Sequence, residues 1–308
     1  MKISVLLENT SISPNLGSEH GLSLFIETDS HSIIFDTGAS SLFLSNAAKM
    51  SVNVLKADAV VVSHGHHDHG GGLPDLLRMN GSADIYVNPF AFSDFRAISD
   101  KGEANYIGLD KELASEARII KTSDHNVIDN ELMLFSNVKG GFPRPSGNST
   151  LYVRVGAVPT DESSDATNAI LNDVSFETAN GVSNEASNDA SHDVLDDFAH
   201  EQNLIIREGD KCVLIAGCAH CGIVNILERC RTILGVYPDY VFGGFHLFNP
   251  TTGDYESSEA IDTLAQALLN TGAMFYTGHC TGLSAYAQLH SVMGDKIEPL
   301  STGKTILI

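Results

Sequence analysis

The chain has 308 residues, 43% of them hydrophobic and 19% charged, which is enough apolar material for a sizeable α/β core. Its net charge of −21 comes with no compensating basic stripe, so a nucleic-acid backbone is not expected as a partner. No apolar run approaches the ~18 residues of a membrane span.

Met1–Glu8 is too short an apolar stretch for a signal peptide and reads as a first strand over Ile3–Leu7, so a cytoplasmic protein is expected. The five cysteines (Cys212, Cys218, Cys221, Cys230 and Cys280) are odd in number and include a single Cys-x-x-Cys, which argues against a disulfide framework. Leu22–Glu27 and Ser32–Asp36 follow as strands, and Asp36-Thr37-Gly38 opens a helix over Ser40–Lys49. The apolar run Asp58–Val62 predicts a buried strand, Leu73–Met79 a helix and Asp84–Val87 a strand. Pro89 opens another helix, and Leu132–Phe135 is a further strand.

Residues 155–206 break this pattern, with eleven acidic residues and no lysine or arginine. About 158–194 is expected to be a flexible acidic insertion, because its Ser, Asn, Asp, Ala and Thr cannot bury enough apolar surface to order the chain. The αβ alternation then resumes. Asn203–Arg207 and Cys212–Ala216 read as a hairpin, Gly222–Leu234 as a helix and Tyr240–Phe242 as a strand. Ser257–Asn270 is helical, Ala273–Thr277 a strand, Leu283–Val292 a helix and Thr305–Ile308 a closing strand. Two αβ halves, each burying a sheet against helices, predict one domain over 1–308 with a four-layer αββα sandwich.

The stretch Ser63-His64-Gly65-His66-His67-Asp68-His69-Gly70 packs four histidines and an aspartate between a strand and a run of glycines. Imidazole nitrogens and carboxylate oxygens suit zinc, iron or manganese. His64 and His66 alternate on an extended backbone and point the same way. Asp68 and His69 turn toward a second position, ~3.5–4 Å away if two metals are held. Further candidates lie just past strands: Cys218 and His220 after Val213–Ala216, His246 after Tyr240–Phe242, and His279 after Phe275–Thr277. Strand carboxyl ends gather in α/β sheets, so these segments can converge.

The loop resembles the HxHxDH signature of the metallo-β-lactamase superfamily. Ala216–Asn225, Gly243–Leu247 and Thr277–Gly282 resemble one branch of it, a branch similar to a dihydropterin–ribofuranosylaminobenzene phosphate synthase. The resemblance spans nearly the whole chain except the acidic segment. It implies a site with two divalent ions, zinc first and manganese or iron as alternatives. One is expected on His64, His66 and His220, the other on Asp68, His69 and His279. It also implies that Asp36 supports the metal loop without ligating. Two departures stand out: Cys218 occupies the place of the superfamily's bridging aspartate, and Gly140–Pro143 carries no histidine where one is usual. Cys218 therefore stays open as an alternative ligand to His220.

Asp68 and His246 are the expected catalytic residues, although His246 could equally be a buried histidine bonded to a backbone carbonyl. His67 is expected to point away. His20, His31, His125, His192 and His290 have no companions and read as ordinary residues; His200 beside Glu201 is ambiguous. The leading expectation is a metal-dependent hydrolase acting on a small phosphorylated molecule through activated water, with no membrane partner. A synthase-like transferase releasing pyrophosphate, a non-catalytic metal-dependent binding protein and a redox iron centre are the alternatives.

Overall fold

The computed structural model describes residues 1–156 and 191–308. Among them the strands are, in chain order, β1 (Lys2–Leu7), β2 (Ser23–Glu27), β3 (Ser32–Phe35), β4 (Ala59–Val62), β5 (Asp84–Val87), β6 (Asp94–Ile98), β7 (Ala104–Tyr106), β8 (Ile119–Lys121), β9 (His125–Val127), β10 (Leu132–Phe135), β11 (Leu151–Val155), β12 (His192–Leu195), β13 (Asn203–Glu208), β14 (Lys211–Ile215), β15 (Tyr240–Gly243), β16 (Met274–Thr277), β17 (Ile297–Pro299) and β18 (Thr305–Leu307). They form two seven-stranded sheets, ordered β18-β1-β2-β3-β4-β5-β8 and β17-β16-β15-β14-β13-β10-β9.

The period-2 pleat sorts the apolar residues onto two faces. Ala59 and Val61 of β4, with Ile33 and Phe35 of β3, pack against Val213, Ile215 and Phe242 of the second sheet. Val60 and Val62 face the other way, toward Phe43 and Ala47 of helix Leu42–Lys49 and Leu73 and Leu76 of helix Leu73–Met79. On the far side, Leu214, Val241 and Phe275 meet helices Ile223–Leu234, Ser258–Leu269 and Leu283–Met293 through Ile226, Leu264 and Leu289. Helix, sheet, sheet, helix is the four-layer αββα sandwich that the alternation predicts.

Three expectations need correction. Pro89 opens only a 3-10 turn, Pro89–Phe92, and the chain then enters β6. Asn88 caps that turn by accepting from the Phe90 amide, but no apolar stripe of helical period follows to extend it. Second, β6 belongs to a separate four-stranded sheet, ordered β12-β11-β6-β7, which the sequence reading did not anticipate. Third, most of the expected insertion at 158–194 lies outside the described residues, but its final part is not loop. His192–Val194 belong to β12, paired to β11 and held by Arg154 to Asp193 at 2.8 Å.

Topology sets where the site forms. β3, β4 and β5 run parallel in one sheet, and β14, β15 and β16 run parallel in the other. Parallel neighbours bring their carboxyl ends to one edge, so the loops after β4, β14, β15 and β16 meet there.

Candidate metal centre

The metal loop is held from below by Asp36, which is fully buried and accepts from the Ser63 amide and hydroxyl, both at 2.7 Å. Its Oδ2 also lies 2.6 Å from His69 Nδ1, which turns His69 Nε2 outward. Gly65 lets the loop pass against Phe95 and the Ala91 carbonyl, where a Cβ would collide. Gly217 makes the same close approach to Ser63 from the other sheet. Ala219, His246 and His279, one in each of three site loops, adopt φ of 55°, 49° and 51°. Non-glycine residues in this left-handed region carry strain that surrounding packing must hold, and such strain concentrates at functional sites.

Two groups of donors result. In the first, one ring nitrogen each of His64, His66 and His220 lies within 4.8 Å of the others. His66 Nε2 and His220 Nε2 are buried with no hydrogen-bond partner. The His220 ring is stacked on Phe198 with centroids 4.4 Å apart, and Asn148 Oδ1 lies 3.0 Å from its Nδ1. The Glu201 carboxylate accepts from the His220 amide at 2.6 Å. Burial keeps these imidazoles neutral: it lowers His64 and His220 well below 6.5 and His66 to about 3. Neutral, buried imidazoles, two of them with a ring nitrogen that has no partner, fit a divalent cation.

In the second group, His69 Nε2 and His279 Nε2 are 3.2 Å apart, and Asp68 Oδ2 is 3.1 Å from His279 Nε2 and 3.6 Å from His69 Nε2. Three ligand atoms converging to within 3.6 Å of one another is again a cation's environment. Burial works to raise the Asp68 pKa, but His69, His20 and His279 outweigh it and hold the carboxylate well below 3.8. Asn9 Oδ1 orients His279 from its Nδ1 side at 3.0 Å, and Glu8 accepts from the His279 amide at 2.6 Å.

Cys218 stands between the groups. Its Sγ is 3.1 Å from His69 Nε2 and shares ligand distance with His64 and His69, so the thiol remains a candidate ligand beside His220. Burial pushes that thiol well above its ordinary value of 9.0. His246 lies against His220, ring centroids 4.2 Å apart, and neither of its ring nitrogens has a partner although the residue is only 5% exposed. The alternative of a backbone-bonded core histidine therefore finds no such bond. His67 is exposed at the rim.

Two residues were undervalued in the sequence. His20 Nε2 is 3.3 Å from Asp68 Oδ2, with its ring 4.6 Å from that of His279; nothing around position 20 signals this. His200 is buried, accepts from the Gly65 amide at 2.9 Å and is 3.0 Å from Asp196, so it braces the metal loop. Its i−4 aspartate was the available clue. Of the candidate ligands, His66, Asp68, Cys218, His220 and His279 border a cavity of about 670 Å³, with His64 and His69 fully buried behind them.

A family model described as the metallo-β-lactamase superfamily matches residues 16–155. The chain is 27% identical over 297 residues, 94% of its length and 90% of the relative's, to the 7,8-dihydropterin-6-methyl-4-(β-D-ribofuranosyl)-aminobenzene-5′-phosphate synthase of Methanocaldococcus jannaschii. It is 25% identical over 293 residues, 93% of each chain, to an uncharacterised protein of the same organism. A solved metal-dependent hydrolase of the β-lactamase superfamily is 25% identical, with a TM-score of 0.71 over 100% of this chain and 99% of that one.

Proposed function

We propose that this chain, which has the metallo-β-lactamase fold and the metal loop of that superfamily, is a metal-dependent hydrolase of a small molecule. The observation that carries the reading is the convergence of His64, His66 and His220, and of Asp68, His69 and His279, at the end of one cavity that His66, Asp68, His220 and His279 line. In this reading those two triads each hold a divalent ion, zinc before manganese or iron. Such ions lower the pKa of coordinated water toward ~7 and polarise a substrate oxygen.

The chain's own groups do the rest. With Oδ2 turned toward His69 and His279, the other oxygen of the ionised Asp68 carboxylate is left to accept the proton of the attacking water. His246, which lines the cavity and whose ring nitrogens have no hydrogen-bond partner, is placed to hydrogen-bond the substrate and return a proton to the leaving group. Asp36, Ser63 and His200 fix the loop so that these donors need no rearrangement.

A second reading, a transferase forming a C–N bond with loss of pyrophosphate, draws support from the synthase relative that matches 94% of the chain. Elemental analysis of the purified protein tests the metal assignment first. About two ions per chain are expected, falling on His220→Ala and unchanged on Cys218→Ala. A chain that retains no metal under metal-replete conditions would end the hydrolase reading, and metal retention with no turnover of any ester would leave a binding protein.

A further inference from the structure

The cavity has two unlike ends. One carries the candidate ligands. The other is a wall from the small third sheet and its flanks: Ala97 of β6, Tyr106 of β7, Ile107 and Leu151 of β11, closed by Pro250. No lysine or arginine is among the described residues lining this space. The acidic segment cannot supply one either, because residues 155–206 contain none. Basic side chains on the third sheet and just after it are already paired. Arg96 is bound to Asp94 at 2.8 Å, Lys111 to Asp94 at 3.2 Å, and Arg154 to Asp193 at 2.8 Å. Asp110 adds a negative charge to the lining itself.

A phosphate group is recognised by Arg forks, Lys or the start of a long helix. A metal pair can take one anionic group, but a second one here would be desolvated without a cation. Apolar walls with a few polar groups are instead the lining of sites for largely uncharged ligands, and 670 Å³ suits a molecule of drug-like size. Resting on the hydrolase reading above, we propose that the substrate is a carboxylic ester or lactone with an apolar or aromatic body. That body lies on the Ala97–Ile107–Leu151 wall, and doubly phosphorylated molecules are excluded. In the reaction the water oxygen bonds to the acyl carbon and the acyl carbon–oxygen bond breaks. One proton passes to the departing oxygen, giving an acid and an alcohol, or a hydroxy acid from a lactone.

Calorimetric titration of the zinc-loaded protein with acetate, phenylacetate and fructose 1,6-bisphosphate separates this from the metal chemistry, because no turnover is needed. Phenylacetate is expected to bind at least about tenfold tighter than acetate, the worth of burying a ring, and tighter than the bisphosphate. Ile107→Lys should reverse the order toward the bisphosphate. Ile107→Ala, a milder change for folding, should cut the phenylacetate advantage several-fold. Equal binding of acetate and phenylacetate, or tighter binding of the bisphosphate to the wild-type chain, would overturn the proposal. Hydrolysis of phenyl acetate and of a panel of further esters and lactones is followed in parallel: the expected binding order with no turnover of any of them would refute the hydrolase reading while leaving the apolar subsite standing.

Discussion

Asp36 makes three bonds from a fully buried position, two to Ser63 and one to His69. Its φ of 58° is costly for a non-glycine residue. That cost is offset because a single carboxylate both closes the turn into the metal loop and fixes the tautomer of His69. Outer partners of this kind commonly shift metal affinity by ~10–100-fold. Asp36→Asn keeps the size of the side chain but removes its charge, so zinc affinity in chelator competition is expected to fall by about that factor, with the fold retained by circular dichroism. Unchanged affinity would mean that Asp36 serves only the loop's backbone. The same logic distinguishes His200 from the candidate ligands: one ring nitrogen accepts from Gly65 and the other faces Asp196, so no lone pair is left for an ion.

At the level of elements, each site loop leaves a strand whose residues are buried on both faces, between the opposite sheet and a helix layer. The helices therefore determine how firmly the strand ends are held. Helix Ser258–Leu269 is started by Ser257, whose hydroxyl accepts from the Ala260 amide at 3.2 Å, and it buries Ile261, Leu264, Ala265 and Leu268 against the second sheet. Ser257→Ala is expected to cost about 1 kcal/mol, read as a lower urea midpoint at unchanged slope. Metal content should not change, since Ser257 lies outside the donor groups. The third sheet differs in kind. Its strands cover the mouth of the site, bringing Phe95 against the rings of His66 and His200.

Across the whole molecule the two large sheets are joined by an apolar core and, at one edge, by polar clamps. His31, just before β3, reaches Asp58 beside β4 at 3.1 Å and Asp129 in the β9–β10 turn of the other sheet at 2.7 Å. The sequence suggested an ordinary residue here; the structure makes it a bridge. Partial burial pulls its pKa down, but the hydrogen bonds and charge of Asp58, then Asp129, outweigh that, and the net displacement is upward from 6.5. A raised folded-state pKa stabilises the fold fully below the unfolded value of 6.5, and that contribution is lost as pH rises through the folded value. His31→Gln should therefore lower stability more at about pH 5 than at about pH 9 when compared with the wild-type chain by urea unfolding at each pH. An equal loss at both would show that the bridge is held by neutral hydrogen bonds.

The αββα architecture and the strands leading to the site were legible in the amino-acid sequence, as was the cluster of candidate donors His64, His66, Asp68 and His69 with His220 and His279 placed after later strands. Period-2 and period-3.6 burial patterns are local, and a strand followed by clustered imidazoles is a local signal too. Tertiary structure decided what depends on side chains far apart in the chain. His20 meets Asp68 and His279 only because the β1–β2 loop folds over the edge where β4 and β16 end. The apolar wall opposite the candidate donors exists only because the β6–β7 hairpin pairs with β11 across more than fifty residues. Strands of three to five residues whose pairing is completed by a partner distant in sequence leave only a weak local signature.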